Sequence, residues 1–323
     1  MRPMEGGQRS SSPSARLPTA GLTEGSGEMT MNNRARGAKA PLERRDFLRK
    51  GLAVGGLTLV GSACGPPDAG LAAAGDAADE FELYHEVYGE GPAVVFAHGG
   101  AGTHMSWWRQ IPTFSREFTC ITYAQRGYGF STDVPGGPGR AAFAEDLMTL
   151  LDGLGIERAS LIGQSMGGRS VLGFAAAHPE RVDALVMSGT TGGYRDAELD
   201  ALRASAPDLG RRSAFAPSYA ERDPEGAFLY RMVSRTNQFL SDDGDEAPAA
   251  EASVPDISRI SAAGVRTLFV VGERDTVAPP TVTKALQGKM EGSTLVTFPE
   301  SGHSTYWEAH EEFNRVVIDF LRA

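Results

Sequence analysis

From Phe81 onward, short apolar runs alternate with stretches of helical spacing, which predicts an α/β fold built on a mostly parallel sheet flanked by helices. Strands are predicted over Phe81–Tyr88, Ala93–Ala97, Phe118–Tyr123, Ser160–Gly163, Ala184–Ser188, Thr267–Val271 and Leu295–Phe298. Ala184–Ser188 and Thr267–Val271 are uninterrupted apolar runs, the pattern of strands buried on both faces. Gly89-Glu90-Gly91-Pro92 reads as a hairpin connection between the first two strands. Ala141–Leu154 puts Phe143, Leu147, Leu150 and Leu151 on one helical face. Val171–Ala177 reads as a helix stopped by His178-Pro179, and Trp307–Leu321 as a C-terminal amphipathic helix. No internal repeat is visible.

The alternation fails between Thr190 and about Ala263. An insertion of that length between two core strands predicts a helical lid at about 191–263. Its aromatics, Tyr194, Phe215, Tyr219, Phe228, Tyr230 and Phe239, fit either the core of the lid itself or the wall of a pocket. The acidic patch Asp242-Asp243-Gly244-Asp245-Glu246 lacks the spacing of a calcium loop and reads as a solvated loop.

Residues 1–40 are rich in Gly, Ser, Arg and Pro without periodicity, the composition of a disordered segment, and Met29 or Met31 offers an alternative start. Glu43-Arg44-Arg45-Asp46-Phe47-Leu48-Arg49-Lys50 then precedes an uncharged run from Gly51 to Ala63, too short and Gly-diluted for a spanning helix. Paired arginines followed by Phe-Leu resemble a twin-arginine (Tat-type) export signal. Small residues before Cys64 resemble a lipobox, with Gly61 where Leu is usual, which implies lipidation at Cys64 and a cell-envelope lipoprotein. A competing cut after Ala72-Ala73-Ala74 implies a soluble periplasmic or secreted protein. The expected organisation is a leader over 1–63, a tether over 64–78 and one domain over 79–323.

Composition narrows the function. The 323 residues carry 41 acidic and 31 basic side chains, net −10, with 41% apolar and 22% charged residues, ordinary for a globular protein. Residues 1–50 hold 10 basic and 5 acidic groups, so residues 51–323 carry a net −15. That surplus excludes a nucleic-acid binder, and it favours a neutral small-molecule substrate over an anionic one. A lipid anchor at Cys64 is the one membrane attachment expected. Two cysteines make neither a disulfide framework nor a Cys-rich zinc site, and Cys120, in a strand-like run, reads as buried and inert. No His, Cys or carboxylate spacing fits a metal site, and no cofactor is expected.

Gly163-Gln164-Ser165-Met166-Gly167 is a G-x-S-x-G sequence placed between a strand and a helix. A nucleophilic serine needs that geometry, because a sharp turn with glycines on either side projects Oγ from the sheet at a helix N-terminus. His98-Gly99-Gly100-Ala101-Gly102 follows a predicted strand, and the N–H groups of Gly100 and Met166 are candidates for an oxyanion hole. Asp275 follows Thr267–Val271 and His303 follows Leu295–Phe298, giving the chain order Ser165, Asp275, His303. Glu273 is a rival carboxylate expected before the turn, and Asp275 also fits a helix cap ahead of Pro279-Pro280. Trp107, Trp108 and Trp307 are candidates for an apolar substrate pocket, or for core. His85, His104, His178 and His310 read as surface or loop groups.

From Phe81 to Leu321 these motifs resemble the α/β-hydrolase superfamily, in its serine hydrolase and esterase-like branch. The resemblance implies Ser165 as nucleophile, His303 as its base and Asp275 as the group orienting His303, while His98 supports the oxyanion loop. Gln125-Arg126-Gly127-Tyr128-Gly129-Phe130-Ser131 is similar to a family turn, with Ala124 where Asp is frequent. The activity expected is hydrolysis of a carboxylic ester or lactone through an acyl-enzyme by an exported enzyme. Alternatives are a carbon–carbon bond hydrolase of the meta-cleavage-product type, whose C-terminal stretch from Gly302-His303 to Phe313-Asn314 is similar, or an enol-lactonase. A non-catalytic receptor for a small ligand also retains such a triad.

Overall fold

The computed structural model describes residues 81–133, 137–206, 212–237 and 254–323. The leader, the tether, Cys64, Phe239 and the acidic patch at Asp242–Glu246 lie outside the described residues.

Seven strands form one sheet: β1 His85–Tyr88, β2 Ala93–Ala97, β3 Thr119–Tyr123, β4 Ala159–Gln164, β5 Val182–Ser188, β6 Arg266–Gly272 and β7 Thr294–Phe298. Their order is β1-β3-β2-β4-β5-β6-β7; β1 runs antiparallel to β3 and every other pair is parallel. The Gly89–Pro92 link is therefore not a hairpin, since β3 lies between β1 and β2. The link packs instead on the turn leading into β3. A Cβ on Gly91 would stand 2.3 Å from the carbonyl oxygen of Glu117, and Thr119 N–H donates to Pro92 O at 3.0 Å. Local turn residues cannot reveal a pairing that depends on a strand arriving later.

Side chains alternate across the sheet, so each strand feeds two core layers. Val95, Ile121, Leu161, Leu185, Met187 and Phe269 face one side. There they meet α2 (Phe143–Gly153) and α3 (Gly167–Ala177), after the short α1 (Ile111–Phe114). Val94, Phe96, Ile162, Val186 and Val270 face the other side, against Trp107, Phe114, Trp307, Phe313 and Val317. Helix α3 begins at Gly167, immediately after the predicted elbow.

The lid contributes α4 (Ala197–Ser205), α5 (Tyr219–Arg222), α6 (Pro224–Ser234) and α7 (Ile257–Ala262), and α8 (Pro280–Lys289) follows β6. Most described lid aromatics pack inward. Phe215 stacks 4.5 Å from Tyr219 and 4.7 Å from Tyr230, which in turn meets Trp307 edge-on at 5.0 Å. The predicted C-terminal helix is split into α9 (Thr305–Glu308) and α10 (His310–Arg322) by Ala309, at φ −124° and ψ 47°. Glu308 ends α9 because its carboxylate turns back to the loop carrying His303, accepting from Gly302 N–H at 2.8 Å and Ala216 N–H at 2.9 Å.

Two expected pocket residues are core. Trp107 is fully buried 5.3 Å from Phe96 and 4.6 Å from Tyr306, and Trp307 is buried with Nε1–H donating to Gly226 O at 3.1 Å. Their size and apolar surface favour that layer over a solvent-facing wall. Trp108 is 42% exposed. His104, expected at the surface, is buried against Tyr84 and Phe130. Cys120 is buried, which pushes its thiol up to about 12.

Candidate active site

Ser165 follows the last residue of β4 and has φ 50°, the one non-glycine positive φ among the described residues. Two close approaches make that turn possible. A Cβ on Gly163 would stand 2.4 Å from Val171 Cγ2, and one on Gly167 would stand 2.2 Å from Ala97 O. The elbow thus presses α3 against β2, and larger residues would push them apart. Thr190 anchors the turn: its hydroxyl donates to Ser165 O at 2.6 Å and accepts from Gly192 N–H at 2.9 Å.

The structure brings Ser165, His303 and Asp275 together. His303 Nε2 lies 2.7 Å from Ser165 Oγ, and Nδ1 lies 2.9 Å from Asp275 Oδ2. The other carboxylate oxygen, Oδ1, accepts from Val277 N–H at 2.7 Å and Ala278 N–H at 2.8 Å. Asp275 is buried, and both its oxygens are engaged, so its orientation is fixed. Glu273 is exposed. With Nδ1–H donated to Asp275, Nε2 carries the free lone pair and accepts the serine proton, the arrangement a general base requires.

Gly100 and Met166 lie beside this array, with no partner for either N–H among the described residues. A fully buried network holds their loop. His98 Nδ1–H donates to Gly99 O at 2.8 Å, while Nε2 accepts from Gln125 N–H at 2.9 Å. Burial pushes His98 down to about 4, so the ring is neutral and has the tautomer this pairing needs. Gln125 donates to His98 O at 2.5 Å and accepts from Ser170 Oγ–H at 2.7 Å. Arg126, in the same turn, forks onto Asp146 at 2.9 and 2.5 Å. Ala124, where the family often has Asp, accepts from Ser131 Oγ–H through its backbone at 2.5 Å.

Two residues of this site were missed from sequence. Asn237, 8% exposed in the lid, accepts from Gly129 N–H at 3.0 Å and donates to Gly102 O at 3.1 Å, tying the lid to the Gly99–Gly102 loop. Glu308 holds the His303 loop as described, and burial pushes its carboxyl up to about 7. Nothing local marks Asn237, because Gly102 and Gly129 are distant in sequence; Glu308 lies in the Gly302–Asn314 stretch, six residues from Gly302, but its second partner, Ala216, is remote. Among the described residues no group of three or more His, Cys, Asp or Glu is placed to hold a metal ion. Nor is any helix there long and apolar enough to cross a membrane.

A family model described as alpha/beta hydrolase fold matches residues 92–310. The 2-hydroxy-6-oxo-6-phenylhexa-2,4-dienoate hydrolase of Comamonas testosteroni is 30% identical over 264 residues, covering 75% of this chain and 92% of the relative. A thermophilic esterase from Thermogutta terrifontis aligns with a TM-score of 0.62 at 27% identity, over 75% of this chain and 93% of its own. The enol-lactonase from Burkholderia xenovorans LB400 aligns with a TM-score of 0.62 at 25% identity, over 75% and 97%.

Proposed function

The chain belongs to the α/β-hydrolase fold family, and on that premise we propose that it hydrolyses a small molecule at an activated carbonyl, with Ser165 as nucleophile. The observation that carries this reading is the continuous Ser165–His303–Asp275 chain at 2.7 and 2.9 Å. His303 Nε2 takes the Ser165 proton as Oγ adds to the carbonyl carbon. The N–H groups of Gly100 and Met166 receive the developing oxyanion, a contribution of about 3 kcal/mol per donor. His303 then returns the proton to the leaving group, and water attacking the acyl-enzyme completes the cycle with Asp275 still holding the ring.

Within that chemistry, the named relatives support carbon–carbon bond hydrolysis or enol-lactone hydrolysis better than simple ester cleavage. The C–C reading adds a step: the dienoate first ketonises, losing its 2-hydroxyl proton and gaining one at C5, so that Ser165 attack on the C6 carbonyl breaks the C5–C6 bond and expels a dienolate that His303 protonates. The simple ester remains the second reading, favoured by the likeness to the thermophilic esterase. A side-by-side panel of p-nitrophenyl acetate and butyrate, an enol-lactone and a 2-hydroxy-6-oxo dienoate ranks the three by kcat/KM. Retention of full turnover by Ser165→Ala on every substrate would remove the nucleophile assignment. Absence of labelling by a fluorophosphonate probe would favour a non-catalytic receptor. Ionic strength separates substrate charge: a dienoate is an anion, and against residues 51–323 of net −15 its kcat/KM rises with salt, whereas that of a neutral lactone does not.

We also propose that the leader exports the protein and anchors it to a membrane. Arg44-Arg45 directs export, and Cys64 carries the lipid. Cell fractionation tests both: Arg44→Lys with Arg45→Lys retains the protein in the cytoplasm, and Cys64→Ser moves it from membrane to soluble fraction. If Cys64→Ser leaves the membrane fraction unchanged, the anchor is wrong.

A further inference from the structure

A short piece of the lid, residues 213–216, lies across the two loops that carry Asp275 and His303. Ser213 N–H donates to Thr276 Oγ1 at 3.1 Å, one residue past Asp275. Ala214 O accepts from Ser304 N–H at 2.9 Å, one residue past His303. Ala216 N–H donates to Glu308 Oε2 at 2.9 Å, and Oε1 of the same carboxylate takes Gly302 N–H at 2.8 Å, one residue before His303. The lid segment also rests directly on that loop: a Cβ on Gly302 would stand 2.4 Å from Ala216 N and 2.5 Å from the Phe215 carbonyl carbon. We propose that residues 213–216 are a strap that sets the alignment of His303 with Asp275, with Thr276 and Glu308 as the positioning residues at its two ends. This inference rests on the reaction proposed above, in which His303 is the base.

The strap is stiff enough for that task. Ser213 Oγ–H donates to Phe215 O at 2.8 Å and accepts from Phe215 N–H at 3.1 Å, which closes the segment into a turn. The Phe215 ring is held between Tyr219 and Tyr230 in the body of the lid. Asp275 and His303 leave different strands, β6 and β7, and the strap is bonded to both of their loops. Its bonds flank His303 at Gly302 and Ser304, so a displaced strap carries the imidazole with it. A reacting group misplaced by about 1 Å costs on the order of 10²-fold in rate, so a smaller shift here is still visible in kcat.

Glu308 suits its end by its chemistry. A carboxylate accepts on each oxygen and so serves both N–H groups at once, whereas a neutral carboxyl or an amide keeps one good acceptor. Burial pushes the Glu308 carboxyl up to about 7, against the pull of the two N–H donors and of Arg222 on α5, and Asp275 adds to the rise. Tyr219 on α5 and Tyr230 on α6 also face it, and His303 shares its loop. The grip is therefore complete above that value and loses one hold as pH falls through it. Ionisation costs stability, because the charge is buried, yet it completes the strap.

The test compares Glu308→Gln, Thr276→Val and the double variant of the full-length protein, on the best substrate of the panel above, across about pH 5–9. Above about pH 8, where an imidazole is ordinarily neutral, each single variant is expected to lose about tenfold in kcat with KM within about twofold. The ratio of native to Glu308→Gln then narrows to about twofold below about pH 6, because the native carboxyl is neutral there too. The Thr276→Val ratio stays constant with pH. The double variant loses little more than either single one, since both release the same strap. A Glu308→Gln ratio independent of pH overturns the positioning role of Glu308, and unchanged kcat in both single variants, or losses that multiply in the double, overturns the strap. Hydrogen exchange at the Ser304 amide reads the strap without turnover: Thr276→Val, nearly isosteric, speeds it at least about tenfold, and unchanged exchange refutes the strap even if Glu308→Gln fails to fold. Fluorophosphonate labelling of the native protein keeps the two readings apart, because its absence removes Ser165 as nucleophile, whereas labelling together with unchanged variants removes the strap alone.

Discussion

Asn237→Ala removes both hydrogen bonds by which the lid grips the oxyanion loop. In the native protein Gly129 N–H reaches Asn237 Oδ1 at 3.0 Å, and Asn237 Nδ2 reaches Gly102 O at 3.1 Å. The site is nearly closed to solvent, so truncation strands one backbone donor and one backbone acceptor. Each stranded group costs about 1–3 kcal/mol, and water entering the vacated space recovers part of that, which leaves a loss of about 2–4 kcal/mol. The kinetic effect follows from position. Gly102 N–H closes a turn onto Gly99 O at 2.9 Å, with Gly100 inside that turn, so freeing Gly102 loosens one oxyanion donor. Complete loss of such a donor costs about 10²–10³ in kcat, so partial misplacement is expected to cost about tenfold with KM little changed. Asn237→Asp sharpens the test, because it keeps the acceptor for Gly129 but turns a second acceptor oxygen toward Gly102 O. It should be no better than alanine. Urea denaturation supplies the stability, and p-nitrophenyl acetate turnover the rate. If Asn237→Ala lies within about 0.5 kcal/mol of the native protein with kcat unchanged, the clamp is refuted.

Asp275→Asn keeps an Oδ1 acceptor for Val277 and Ala278 but offers His303 Nδ1 a donor, which forces the wrong tautomer; kcat should fall about 10⁴-fold with the fold intact, and a loss under tenfold contradicts the assignment. Ser165→Gly should be more stable than Ser165→Ala by up to about 1 kcal/mol, since alanine retains the left-handed strain and glycine does not; the reverse order in denaturant removes the strain. Glu308 gives a pH signature. Burial raises its carboxyl from an ordinary 4.5 to about 7, so between those values the folded state holds more protons than the unfolded one. Stability therefore falls as pH rises through that window, by about 3 kcal/mol at most, and is flat above it. Glu308→Gln should flatten this slope, and equal slopes of Tm against pH for the two proteins would show that Glu308 is not its source.

The residues that were legible in the sequence share one property: their roles are written locally. β5 and β6 are buried on both faces and read as unbroken apolar runs. The elbow needs Gly, Ser and Gly at fixed spacing, and Asp275 and His303 each sit just past a strand end. Residues whose roles depend on remote partners were opaque. The antiparallel pairing of β1 with β3 overrides the turn signal at Gly89–Pro92. Trp107 and Trp307 look like pocket aromatics until their neighbours Phe96, Tyr306 and Gly226 are known. Asn237 carries no motif, and Glu308 sits in the similar C-terminal stretch without its contact to Ala216 being readable there, because Gly102, Gly129 and Ala216 are assembled around them only by the fold. His104 shows the same limit, since a polar residue in a turn reads as exposed until Tyr84 and Phe130 are seen to cover it.

The sheet order has a consequence for how the protein comes to life. Ser165 hangs from β4 and Asp275 from β6, while His303 follows β7, the far edge, late in the chain. Apart from β1, the strands pair in parallel, so each must wait for a crossover of intervening chain before it docks. The Ser165–His303 contact is thus among the last to become possible, and a nascent chain carries its proposed nucleophile long before His303 can reach it. Turnover becomes a clock for completion: during refolding, the helical signal should return first and catalytic competence afterwards, in step with the docking of the final strand.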